Sequence, residues 1–292
     1  SGHETTFEEA KAMTIKNLLS VDIEDWFHIC GVSERIPKES WPRLESRVFQ
    51  NTLKLLEILE HHDVKATFFV LGYVAEIHPE VVQQIHAKGH DIATHGYAHQ
   101  RVYTLTPQAF LQDIRKAVHI ISGITNQAVM GYRAPEWSIR DDSLWALEIL
   151  GQENMAYDSS MAPLPIIGDP NYPKTPYKRE LTKGSIWEFP PLVRQTSLTN
   201  LPIGGGWGLR VFPYRMIRSE IQRLNQLGHP ALVYLHPREF DLDCPRISLP
   251  WVKRFVLNAR IERTEKRLAR LLRDFHFTSI EDFLKTSHHS AH

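Results

Sequence analysis

KATFFVLGYVAEIHPEVVQQIHAKGHDIATHGYAH, residues 65–99, is the stretch on which the architecture turns. It opens on a short apolar run, KATFFVLG, passes through a helical segment near Pro79–Lys88, and returns to a second run, HDIATH. Short apolar runs bounded by turn signals read as buried strands, and the segment between them reads as the crossover helix of a parallel βαβ unit. The same alternation extends in both directions. Upstream, NLLSVD (17–22) reads as a strand, and Leu44–His61 as a helix with Val48, Leu53, Leu55, Leu56 and Leu59 on one broad face. Downstream, Thr106-Pro107 is a helix start, threonine as N-cap and proline in the first turn, and Gly123 offers an end. AVMGYRAP follows as a strand, Asp141–Leu150 as a helix and MAYDSS as a strand. After a Pro-rich stretch come WEFPP, a helix near Pro213–Leu227, the strand ALVYLHP, a basic helix from Phe255 to Asp274, and FTSIEDFL. About seven such units predict an α/β fold with a largely parallel sheet, closed or nearly closed as a barrel. Residues 1–13 read as a leader set apart from the fold, 14–286 as one domain, and 287–292 as a disordered tail.

Composition narrows the function. Among 292 residues, Lys plus Arg and Asp plus Glu each number 34, so the formal charge is zero. That balance argues against a nucleic-acid or anionic-membrane binder, both of which select a basic surface. The two cysteines, Cys30 and Cys244, are too few for a disulfide framework or a cysteine zinc site and read as free thiols. No apolar run approaches the ~20 residues that span a bilayer, and the first residues lack an apolar signal core, so the expectation is a cytoplasmic protein with no transmembrane segment. The 16 histidines stand out. His3, His288, His289 and His292 sit in the ends and read as solvated.

In parallel α/β folds, ligand-handling residues gather at the C-terminal ends of strands. Here those ends carry Asp22, Glu24 and Asp25, then His95 and His99, then Arg133, Glu136 and Trp137, then Asp158, then His236. Charged groups at such junctions are costly unless paired or bound to metal. His95 and His99, four residues apart, can share one face of a turn, and Gly96 lets the chain bend there. Two histidines and a carboxylate with positions left for water form the ligand set of a hydrolytic zinc-type site.

In this order and spacing, the five clusters resemble the five motifs of the polysaccharide deacetylases, the NodB-homology or carbohydrate esterase family 4 domain. The resemblance spans Leu18 to Pro237. The spellings SVDIEDWFH, YRAPEW, LHPREFD and FTSIEDFL are similar to a bacterial subgroup that accompanies exopolysaccharide or surface-glycan assembly. The resemblance implies a distorted parallel (β/α) barrel, one divalent metal, zinc first with cobalt or nickel as substitutes, and hydrolysis of N-acetyl groups on an amino sugar in a glycan or glycan precursor. It implies Asp22 as general base, Arg133 pairing with Asp22, His95 and His99 as ligands, the Glu136 N–H as an oxyanion donor, and His236 as general acid. The family spelling has two adjacent aspartates, whereas Asp22 and Asp25 here are separated by Ile23 and Glu24. Strand alternation places 22 and 24 on one side, while a chain turning out of the strand brings in Asp25; the match to an aspartate ligand favours Asp25 over Glu24.

Trp137 and Trp187 are candidates for an apolar wall against substrate or for rim packing, and Asp158 for an anchor behind the site or a turn cap. Gly204-Gly205-Gly206 lacks the lysine and spacing of a phosphate loop and reads as close backbone packing. Two rival functions remain open: hydrolysis of a small cyclic amide or imide on the same barrel, and a non-catalytic glycan-binding module.

Overall fold

The computed structural model describes residues 15–29, 31–245 and 247–289. Cys30, the leader at 1–13, the end of the tail at 290–292 and the side chains of the terminal histidines lie outside the described residues. Among the described residues there are eleven strands: β1 (Asn17–Ile23), β2 (Thr67–Val70), β3 (Asp91–Thr94), β4 (Gly131–Tyr132), β5 (Tyr157–Asp158), β6 (Tyr177–Glu180), β7 (Ser185–Glu188), β8 (Arg194–Gln195), β9 (Asn200–Leu201), β10 (Leu232–Leu235) and β11 (Phe277–Thr278). The helices are α1 (Val48–His61), α2 (Gly72–Ile77), α3 (Pro79–Ala87), α4 (Pro107–Thr125), α5 (Trp145–Gln152), α6 (Gly206–Val211), α7 (Tyr214–Gln226), α8 (Trp251–Asn258), α9 (Thr264–Asp274) and α10 (Ile280–His289).

The main sheet runs β10-β1-β2-β3-β4-β5-β7-β6, with β11 also on β1. Every pairing is parallel except β6 with β7. The seven parallel strands from β10 to β7 curl into a half-barrel, in keeping with the expected α/β fold and largely parallel sheet. Backbone beyond β7 spans the open side. The Phe189 N–H still donates to Asp158 beside β5, and three residues on the Leu192 N–H donates to Leu232 of β10. The Tyr234 N–H donates to Gly204, so this glycine run lies against β10. A Cβ on Gly205 would stand 2.3 Å from the Tyr234 carbonyl oxygen, which explains why glycine is required there.

Alternation along the strands sorts two cores. Leu19, Val21, Ile23, Phe68, Val70, Val233 and Leu235 face outward into the helices. Leu18, Phe69, Ala93, Tyr157, Phe189 and Leu232 fill the interior, where Ile280 and Leu284 of α10 join them. Burying an apolar side chain of this size contributes about 1.5–3 kcal/mol.

Several boundaries differ from the sequence reading. α4 starts as expected, with the Thr106 hydroxyl accepting from the Ala109 N–H, but it passes through Gly123 and ends at Asn126 in the left-handed region. The expected basic helix is two helices, because Arg260 adopts φ 52 between α8 and α9. α2, β6 and the β8–β9 hairpin were not anticipated, and α10 continues to His289, past the point assigned to a tail.

Candidate active site and cation-binding cluster

The interior parity of β1 continues past its end. Residues 18, 20 and 22 face inward, and Glu24 keeps that direction while Asp25 turns away. Glu24 therefore joins His95 and His99 in a group whose ligand atoms all lie within 4.8 Å of one another. The preference for Asp25 is corrected here. Asp25 instead caps α1: its carboxylate accepts from the N–H groups of Arg47 and Val48 at 3.0 and 3.4 Å, from the Trp26 N–H and from the Ser46 hydroxyl. An anion at a helix N-terminus satisfies donors that have no partner inside the helix.

The loop that carries the histidines is shaped from α4. The Asp113 carboxylate accepts from the N–H groups of Tyr97 and Ala98 at 2.7 and 3.1 Å. Gly96 takes φ 72 and His99 φ 50, both in the left-handed region, and the His99 backbone is strained for a residue with a Cβ. His95 Nδ1 lies 2.8 Å from the Arg133 carbonyl. A carbonyl only accepts, so Nδ1 carries the proton and Nε2 keeps its lone pair for the site. Burial pushes His95 down to about 4, against the pull of Asp22, so it is neutral at pH 7.

His99 Nε2 stands 2.6 Å from Glu24 Oε2. That oxygen nevertheless has no aligned hydrogen bond, and His99 Nδ1 is likewise buried without a partner. A carboxylate oxygen and an imidazole nitrogen that approach this closely without hydrogen-bond alignment suit a shared third atom. Burial raises Glu24, but His99, His236 and His95 outweigh it and bring the carboxyl down to about 2. An anionic oxygen, a neutral imidazole and a second imidazole, all buried, fit a divalent cation of the zinc type.

Asp22 and His236 complete the cluster. Arg133, fully buried, holds Asp22 Oδ1 at 2.6 Å. Its guanidinium lies over the rings of Phe69 and Trp137 at 4.1 and 4.4 Å, and Ser159 accepts two more of its N–H groups. His236 continues the inward column Leu232–Tyr234 of β10 and presents Nε2 at 3.8 Å from Asp22 Oδ2 and 3.5 Å from Glu24 Oε1. Its Nδ1 lies 2.8 Å from Glu239, a carboxylate that can only accept. Burial opposes the charged imidazolium, but Glu239, Glu24 and Asp22 raise His236 to about 9. Glu239 itself lies 3.5 Å from the buried Arg210. The sequence reading missed Glu239, Arg210 and Asp113. Only the first has a local signal, the three-residue step from His236 that brings a side chain back over the preceding turn.

The other expected residues divide. The Glu136 side chain turns outward to Arg101 at 2.8 Å, while its backbone takes φ 57. Trp137 packs on Arg133 and on Tyr234, beside the site. Trp187 stacks on Phe189, whose other ring partners are Tyr157 and Phe283, so among the described residues it belongs to the barrel interior near α10 rather than to a wall of the site. Asp158 is buried behind Arg133 beside Glu188.

Acidic and basic groups thus converge with the Glu24–His95–His99 group at the strand ends of the parallel half-barrel. Residues 47–155 match the family model described as polysaccharide deacetylase, and residues 159–285 match one described as a domain of unknown function, DUF3473. The likeness to polysaccharide deacetylases thus rests on residues 47–155, less than half of the chain. It is 36% identical over 98 residues to a peptidoglycan-N-acetylglucosamine deacetylase of Bacillus cereus, covering 33% of this chain and 36% of that protein. It is 27% identical over 169 residues to a peptidoglycan deacetylase of Helicobacter pylori, covering 56% and 55%. The chain thus spans about a third to a half of the length of these relatives. The crystal structure of a polysaccharide deacetylase homologue from Mycobacterium smegmatis superposes with TM-score 0.65 at 19% identity, over 95% of this chain and 92% of that one, and shares the fold. Among the described residues no helix is long and apolar enough to cross a membrane.

Proposed function

We propose that this protein removes N-acetyl groups from an amino sugar of a glycan or glycan precursor, with a divalent cation held by Glu24, His95 and His99. The observation that carries this reading is the meeting of Asp22–Arg133, the Glu24–His95–His99 group and His236–Glu239 within a few ångströms, from strand ends far apart in the sequence. A divalent cation supplies Lewis-acid polarisation of an amide carbonyl and acidifies water. Asp22, with one oxygen fixed by Arg133, turns the other toward the cluster and takes the proton released as water attacks the acetyl carbon. His236 holds a proton at Nε2 on the far side and delivers it to the sugar nitrogen, which cannot leave as an anion. Glu239 fixes the tautomer and angle that this delivery requires. Trp137 and Arg133 close one side of the cluster.

The test is acetate release from N-acetylglucosamine oligomers, N-acetylgalactosamine oligomers and peptidoglycan fragments, after chelation and after adding back zinc, cobalt or nickel. Release that needs added metal, and falls at least about a hundredfold in Asp22→Ala and His236→Ala, supports the reading. Undiminished release from a chelated sample overturns it. Turnover of cyclic amides alone points to the rival hydrolase, and glycan binding without turnover to a non-catalytic module.

A further inference from the structure

Behind Arg133 lie two buried carboxyl groups that the proposed reaction does not use. Asp158 of β5 and Glu188 of β7 sit opposite each other in the parallel register, both fully buried. Their outer oxygens are satisfied. Glu188 Oε1 accepts from the N–H groups of Ser160 and Met161, each at 3.0 Å, and Asp158 Oδ1 accepts from the Ser160 hydroxyl at 2.5 Å. Their inner oxygens, Asp158 Oδ2 and Glu188 Oε2, find no donor among the described residues. Two acceptors cannot face each other in a buried site unless a proton lies between them.

We propose that Glu188 carries that proton at neutral pH and donates it to Asp158, and that the shared proton sets the Asp158–Met161 segment that holds Arg133 against Asp22. The linkage is continuous. Ser160 Oγ, while donating to Asp158, accepts from the Ala134 N–H at 2.8 Å, and Ser159 takes the Arg133 Nε and Nη2 groups at 3.2 and 2.8 Å. The Arg133 guanidinium and the backbone that follows it are therefore positioned by one strand-end segment, and that segment is bonded to the acid pair. The titratable groups facing the pair are Arg133 from the segment after β4, Tyr132 on β4 and Tyr177 on β6. Only Arg133 is positive, and it also serves Asp22. Burial lifts Asp158 to about 6 and Glu188 well above the usual carboxyl range, in agreement with one retained proton. Loss of that proton sets two anions against each other behind Arg133 and loosens the segment. Glu188 and Asp158 are positioning residues, and only the activity readout of this inference rests on the deacetylase reading.

The test compares Glu188→Gln with Glu188→Ala. Gln supplies a permanent N–H donor to Asp158 and an oxygen to Ser160 and Met161, whereas Ala supplies neither. Infrared difference spectra at pH 7 will contain a protonated carboxyl band in the native protein that Glu188→Gln abolishes. Glu188→Gln will keep kcat within about threefold and shift the alkaline limb of the kcat profile upward, while Glu188→Ala will lose at least about tenfold in kcat with little change in KM. A carboxyl band unaffected by Glu188→Gln overturns the inference whether or not the protein deacetylates anything. So does an alkaline limb at the same pH in both the native protein and Glu188→Gln.

Discussion

Glu24 and Asp25 differ by one step of backbone, and that step separates the proposed cation ligand from a helix cap. The inward parity of β1 selects Glu24, while the turn that follows sends Asp25 to the N–H groups at the start of α1. The two roles predict opposite losses. Glu24→Ala will fail to retain zinc through desalting, while its unfolding midpoint without metal stays close to native. Asp25→Ala will bind zinc normally in a calorimetric titration but lose about 1–2 kcal/mol in urea unfolding, as removal of a cap does. Zinc retention in Glu24→Ala together with loss in Asp25→Ala would restore the aspartate as ligand. Glu239 permits a second prediction at this scale. Its carboxylate is the acceptor for His236 Nδ1, so Glu239→Ala frees the ring to rotate and will lower kcat by about 10²-fold with KM little changed. Equal losses in binding and turnover would assign Glu239 to substrate contact instead. Most of this site was legible in the sequence because strand ends announce themselves by charge. What was not legible depended on how one residue continues a strand's parity, and on groups such as Asp113 and Arg210 that reach the site from helices far away in the chain.

Elements with a strong period were readable, and those held by a neighbour were not. β1 is buried throughout, and α4 repeats apolar residues at Phe110, Ile114, Ala117 and Ile121, so both declare themselves locally. β4 and β5 are only two residues long and exist because β3 and β7 offer ladders beside them. The end of α4 was misplaced because Gly123 is tolerated within the helix while Asn126 supplies the left-handed stop. β6 alternates half-buried and exposed residues and is held by its antiparallel partner, a relation that no single-stretch pattern reveals. The closing segment is the least local element. It depends on Gly204 and Gly205 lying flat against Leu192 and Tyr234, and a Cβ at 205 would stand 2.3 Å from the Tyr234 carbonyl. Gly205→Ala must displace β10, and overpacking of this kind costs about 1–3 kcal/mol. Because Tyr234 packs on both Trp137 and His236, turnover will fall with stability. Urea unfolding and acetate release on the same preparation check this, and an unchanged midpoint would mean that the closing segment contributes little to the barrel.

For the molecule as a whole, burying so many ionisable groups, at the site and at the opposite ends of the strands, makes stability a function of pH, and its sign follows from their shifts in the metal-free protein. Between pH 4.5 and 6.5 the contributions oppose each other. Burial raises Asp91 and Asp158 to about 6, so each is more easily kept as the neutral acid in the fold, and its contribution is lost as pH rises through 6. Burial lowers His90 and His95 to about 4, and depresses His28 as well, so these give up stability as pH falls below 6.5, where the unfolded chain takes up protons first. The two sets cancel in large part, and the curve there is shallow. Above pH 6.5 the signs agree. Burial opposes the charge on His236 and His99, but carboxylate neighbours raise both, His236 to about 9, and burial raises Glu188. Each binds its proton more tightly folded than unfolded, so each loses its contribution as pH climbs. His236 alone accounts for roughly 3 kcal/mol between pH 6.5 and 9. Urea unfolding of chelated protein will give midpoints that vary little from pH 4.5 to 6.5 and then fall toward pH 9, with His236→Gln flattening the fall. A midpoint that rises across the alkaline range would mean that the imidazole at 236 is neutral in the fold, and with it the proton that the proposed deacetylation requires would be absent.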